Sequence, residues 1–186
     1  MSWQVELQIL TEAGVSMAPG LTTHEVDRAE FVIGAKFPPD LCALLSEGLP
    51  LGKGFPNWRE PDSETIRNQL AWPLDGMAFS IENNQFWLND WGERPAVLAQ
   101  ALAIARTKVA DAPRLIPVYG HRYIAAEPEL DGNPIFSVHQ TDIIFYGDDL
   151  ATYLRCEFNK LSYAEAVHDG LRRIRFWSEL VDANNE

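Results

Sequence analysis

The sequence predicts an α+β fold in which a central antiparallel sheet of about four to six strands is flanked by N-terminal and C-terminal helices. Three patterns carry this expectation. Apolar residues at helical spacing dominate the first half, short β-branched and aromatic runs separated by turn residues fill positions 115–146, and helical spacing returns after Asp148. The length of 186 residues is that of one domain able to bury a sizeable core. With no internal repeat and no linker, residues 1–186 read as a single unit. Within it, 1–21 form an N-terminal arm or added strand, 22–158 the core, and 159–186 a C-terminal helix and tail.

In the arm, Trp3, Val5, Leu7 and Ile9 alternate weakly, which predicts an added strand or an ordered arm. Thr22 and Glu25 have the spacing of a capping box, Val26, Ala29 and Ile33 continue the helix inward, and Gly34 stops it. A second helix opens at Pro39, where a missing N–H does no harm, and carries Leu41, Leu44 and Leu45; Gly48 ends it before Leu49. Residues 50–60 hold two Gly and two Pro and read as a loop. Asp62 or Ser63 caps a third helix through Leu70, with Ile66 and Leu70 inward. The stretch 77–91 reads as a hairpin, Ala78–Ile81 and Phe86–Leu88 being strands around Glu82-Asn83-Asn84. A helix from Pro95 to about Lys108 presents Val97, Leu98, Ala101, Leu102 and Ala105 on one face.

Four strands follow: Leu115–Tyr119, Arg122–Ala126, Ile135–His139 and Ile143–Tyr146. They lie close in sequence and are divided by Gly, Pro, Asp and Asn, so antiparallel pairing is expected. A helix begins at Asp148 with Leu150, Tyr153, Leu154 and Phe158 inward, and Tyr163–Leu180 reads as the last helix.

Charge narrows the partners. The formal net charge is −12, which repels nucleic acid and anionic membrane and steers a cationic partner inward. Between Arg122 and Arg155 there is no Lys or Arg, while Glu127, Glu129, Asp131, Asp142, Asp148 and Asp149 all fall there. No apolar stretch approaches the ~20 residues that span a bilayer. The N-terminus does not read as a signal peptide, so a cytoplasmic protein is expected. Cys42 and Cys156 read as reduced, buried thiols, and no zinc-ligand spacing or cofactor motif is present.

His121, His139 and Asp142 lie on or beside strands and could meet as a metal site or an oriented base. Polar residues at strand ends more often face solvent. The pair Asp148-Asp149 suits a helix start, where exposed N–H groups favour negative charge. Ser137 lacks a nucleophile-elbow context, and Gly52 and Gly54 lack the Lys-Ser/Thr of a phosphate loop. No enzyme is expected. Of the six tryptophans, Trp58 in the Gly/Pro loop is the best candidate for a contact with a partner.

Two stretches carry a family resemblance: FVIGAKFPPDLCALLSEGLPLG (31–52), and LIPVYGHRYIAAEP followed by GNPIFSVHQTDIIFYGDDLATYLRCEF (115–158). Their order resembles that of the SUKH superfamily. Phe37 stands where Leu is commoner, Leu49-Pro50 replaces the usual Asn-Gly, and the Trp-rich 86–92 segment is similar to a bacterial subgroup. The resemblance implies a SUKH-like fold and a family of binding proteins with no shared catalytic set. Bacterial members are often immunity proteins encoded beside secreted polymorphic toxins, many of them nucleases or deaminases, and fungal members regulate cell-wall synthesis. The resulting expectation is stoichiometric inhibition of a toxin with a basic surface, through one face of the sheet and adjoining loops, with Trp58, Glu127, Glu129, Asp131 and Asp142 as contacts. An intracellular scaffold or regulator, and more remotely a small metal-dependent hydrolase, are the alternatives.

Overall fold

The structure, a computed structural model, describes residues 2–184. Elements follow in the order α1 (Gln4–Glu12), β1 (Ser16–Pro19), α2 (Thr23–Ile33), α3 (Pro39–Glu47), β2 (Gly48–Leu51) and α4 (Glu64–Asn83). A short 3-10 turn (Asn89–Trp91) leads to α5 (Leu98–Ala110) and then to the strands β3 (Leu115–Tyr119), β4 (Arg122–Ala125), β5 (Ile135–His139) and β6 (Asp142–Gly147). The chain closes with α6 (Leu150–Glu157), α7 (Tyr163–Ala166) and α8 (Trp177–Ala183). The fold is α+β. Strands β3 to β6 form one antiparallel sheet in sequence order, and β1 pairs with β2 in a separate antiparallel ribbon.

Alternation along the strands divides the core. Ile116, Val118, Ile124 and Ile135 point into a cluster with α2, α3 and α6, which also holds Trp3, Leu10, Leu49 and Trp58. Leu115, Tyr123, Phe136, Val138 and Ile143 point the other way, onto Met77 and Ile81 of α4, Ala101 and Ala105 of α5, and Trp177 and Leu180 of α8. Both faces of the sheet are therefore covered. The apolar side chains on each face are buried against helices, so a partner meeting the sheet would find its ends and adjoining loops first.

Three expected elements differ. Residues 4–12 are helical because Trp3, Leu10 and part-buried Leu7 share one helical face, whereas Val5, which an alternating strand would bury with Trp3 and Leu7, is 56% exposed. The hairpin expected over 77–91 is largely the second half of α4, where Met77, Ser80 and Ile81 are buried at helical spacing. Helix α4 continues through Pro73, which has no N–H for the carbonyl of Gln69. Tyr123, from the sheet, donates its hydroxyl to that carbonyl at 2.8 Å instead. Gly76 lets α4 lie directly on the β5–β6 turn, since a Cβ there would sit 2.7 Å from the Gln140 Cα. The last helix is broken between α7 and α8, and the intervening strap spends its cations internally. Arg172 donates to the Asp131 carbonyl at 2.7 Å, Arg175 to the Asp111 carbonyl at 2.5 Å, and Arg173 pairs with Asp182.

The Gly/Pro loop begins later than expected because Gly48–Leu51 pair with β1. The capping box of Thr22 and Glu25 is present, and Ser63 caps α4. No helix among the described residues is long and apolar enough to cross a membrane.

Tyr123→Phe orphans the Gln69 carbonyl and should cost about 1–3 kcal/mol in urea unfolding. Adding Pro73→Ala supplies an amide for the same carbonyl and should return part of that loss. Additive effects of the two changes would contradict this account of the helix.

Candidate functional site

The most acidic connection at an end of the sheet joins β4 and β5 through residues 126–134, and its shape is set from within. Asn133, fully buried, donates through Nδ2 to the carbonyls of Ala125 at 2.9 Å and Pro128 at 2.8 Å. Its Oδ1 accepts from Arg172 at 2.8 Å. Gly132 takes a left-handed φ of 76° that favours glycine, and its N–H donates to the Asp40 carboxylate at 3.1 Å. The second Asp40 oxygen accepts from the Leu41 N–H at 2.8 Å. Burial raises the Asp40 carboxyl above its ordinary value, against the lowering effect of these two bonds. With the backbone held this way, Glu127, Glu129 and Asp131 project into solvent.

Beside this connection runs a groove of about 930 Å³ between the end of α2, the middle of α4 and the end of α5. Leu70, Leu74, Val109, Leu115 and Ala126 supply apolar lining, and Asp27, Glu30, Glu127 and Glu129 supply carboxylates. Glu30 is buried. Its oxygens accept from the Phe37 N–H at 2.9 Å and from Lys36 Nζ at 2.5 Å. The hydrogen bond that Lys36 donates to Glu30 raises its pKa first, then the Glu30 charge, and the charges of Asp27 and Glu129 add to it. Arg114 is committed elsewhere: its guanidinium donates to the Ile33 carbonyl at 2.6 Å, closing the end of α2 onto β3.

The expected contact residues separate into three places. Glu127, Glu129 and Asp131 share the β4–β5 connection. Asp142 lies at the opposite end of the sheet, beside the β5–β6 turn, roughly 13 Å of strand away. Trp58 is 1% exposed and packs edge-on to Phe37 with ring centroids 5.0 Å apart. It is a core residue, not a surface contact, because the 52–58 loop folds inward over the first core.

At the turn end, His121 and His139 approach with ring centroids 6.5 Å apart, and Asp142 stands opposite His139 in register. They do not converge on one point. Among the described residues, no group of three or more His, Cys, Asp and Glu side chains is placed to hold a metal ion. Burial, then the charges of Arg122 and His139, lower the His121 pKa, which favours the neutral ring. Ser137 accepts a hydrogen bond from Arg122 at 2.9 Å, and that guanidinium also pairs with Glu157 at 3.1 Å and lies 3.9 Å from the Tyr146 ring centre. Asp149 caps α6, while Asp148 accepts from His168 at 2.6 Å on the surface. These carboxylates have structural work.

Sequence reasoning missed Asp27, Phe31 and the groove itself. Phe31 is 87% exposed, and a signal for it existed. The inward set Val26, Ala29 and Ile33 leaves position 31 off the buried stripe of α2, so an aromatic there has no core to enter. The groove has no local signal, because its walls come from segments far apart in the chain. Comparisons with protein-family models, with curated proteins and with solved structures return no match to this chain.

Two expectations follow for the held connection. Asn133→Ala leaves the buried Ala125 carbonyl without this donor, while the Pro128 carbonyl keeps the Leu130 N–H, and should cost about 1–3 kcal/mol in urea unfolding; no measurable loss would show that the connection is not set by this side chain. The raised Asp40 carboxyl contributes stability that is fully present below its ordinary value and is lost as pH rises through the folded value. Asp40→Asn removes this titration. Its stability relative to the parent should therefore improve from about pH 3 to about pH 7, and a pH-independent difference would refute the assignment.

Proposed function

We propose that the chain is a non-catalytic binding protein that neutralises a secreted polymorphic toxin by stoichiometric binding, acting in the cytoplasm. The observation that carries the reading is the β4–β5 connection. It exposes three carboxylates on a backbone fixed by Asn133, Asp40 and Arg172, and Glu127 has no hydrogen bond or ion pair among the described residues. A rigid acidic loop in which Lys36 lies near Glu129 alone loses little entropy on meeting a basic surface, and it accelerates encounter. The order of the 31–52 and 115–158 motifs supports the same reading, since it resembles SUKH proteins, whose bacterial members are often immunity proteins. A nuclease-type toxin fits the charge, because a surface that binds nucleic acid is basic.

Inhibition follows from geometry and charge. Glu127, Glu129 and Asp131 occupy the positions that phosphates would take against the toxin's Lys and Arg, and the bulk of the domain covers the substrate approach. Desolvated charge pairs of this kind set specificity and association rate more than they set raw affinity.

The test is capture from the native host with the parent chain and with the Glu127→Lys/Glu129→Lys double variant. A toxin-like protein should be retained by the parent. The variant should associate about tenfold or more slowly at low salt and show a flatter dependence on ionic strength. An identical salt dependence for both chains would remove the electrostatic basis of the proposal.

A further inference from the structure

We propose that the groove beside the acidic connection seats an amphipathic helical segment of the partner, with an apolar ridge on the floor and Lys or Arg along the flank facing Asp27, Glu127 and Glu129. This rests on the protein-binding reading and names the element that binds.

Charge complementarity carries the choice of occupant. On the side formed by α2 and the β4–β5 connection, four carboxylates (Asp27, Glu30, Glu127 and Glu129) face the groove, with Lys36 beside them. Glu30 and Lys36 close on one another, which leaves Asp27, Glu127 and Glu129 against Arg106 and Arg114. Arg114 keeps its charge while its guanidinium bonds the Ile33 carbonyl, and Arg106 stands across the groove on the α5 wall. The negative charge is thus one-sided, and a bound segment is orientated by it.

Phe31 argues for a macromolecule. It stands 87% exposed on the groove wall, one helical turn after Asp27. A small ligand lying on the floor cannot cover a ring that projects this far, whereas a helix rising above the rim can bury it as an interface anchor. Nucleic acid and anionic lipid are disfavoured by the same carboxylates. The walls are side chains of α2, α4 and α5, and α4 packs along the outer strand β3. The groove therefore offers a helix seat in preference to a strand edge.

The test uses the intact chain and three synthetic peptides of about fourteen residues, roughly 21 Å when helical. One carries Leu on one face with Lys on its flanks, one is a scrambled peptide of the same composition, and one has Glu in place of Lys. Binding is read by fluorescence anisotropy and mapped by amide chemical-shift changes. The Leu/Lys peptide should bind at least about tenfold more tightly than either control, with shifts centred on Phe31, Leu74 and 126–129. The Asp27→Lys/Glu127→Lys variant should weaken it about tenfold or more, and Phe31→Ala about fivefold or more, with near-UV circular dichroism confirming that both remain folded. Equal binding of the scrambled peptide overturns the proposal, as do shifts centred on the exposed rings of Trp72 and Phe79. If the peptide misses the groove while host capture still depends on Glu127 and Glu129, only the helix assignment falls. Loss of both results takes the binding reading with it.

Discussion

Each strand of the central sheet carries apolar side chains on both faces, and burying both is the constraint from which the remaining architecture follows. An antiparallel sheet can leave one face wet, but Ile116, Ile124 and Ile135 on one side and Tyr123, Phe136 and Val138 on the other exclude that solution here. Helices must cover each face. Helix α4 serves both cores, with Ile66 in the first and Met77 and Ile81 in the second. Its passage past the sheet requires Pro73 to be tolerated and Gly76 to be small, and the Tyr123 hydroxyl meets the first requirement. Burial pushes the Tyr123 phenol well above its ordinary value, so it remains a neutral donor throughout the physiological range.

Covering both faces also decides where recognition can happen. Polar chemistry is displaced to the two ends of the sheet, and the ends differ. The turn end gathers His121, His139 and Asp142 without bringing them to a common point, and Arg122 is already satisfied by Glu157, Ser137 and Tyr146. The other end holds the β4–β5 connection and the groove, where carboxylates outnumber the cations that could answer them. The strap between α7 and α8 reinforces this end through Arg172, which binds the connection by its backbone and by Asn133, leaving the acidic side chains outward.

Much of the sheet was legible because its four strands are short, β-branched and punctuated by turn residues, and their pairing is local. The helix starts at Thr22, Pro39 and Ser63 were legible from capping chemistry. Helix α4 was not, because Pro73 and Gly76 are local breakers whose penalty is offset by tertiary contacts that sequence spacing does not reveal. The strap was misread for the opposite reason: Ile174, Trp177, Leu180 and Val181 suit a helical face, but hydrogen bonds from three arginines hold the chain extended ahead of α8. For the site, the acidic residues 127–131 stood out through the absence of nearby Lys and Arg. Trp58 could not be placed from composition, since an indole suits an interface and a core equally.

The account stands on recognition at the β4–β5 end of the sheet. Amide hydrogen exchange of the chain alone and in complex with the protein captured from its host measures this directly. Slowed exchange across residues 27–36 and 126–133, with residues 119–122 and 139–142 unchanged, is the predicted pattern. Protection confined to the turn end around His121, His139 and Asp142 would contradict it.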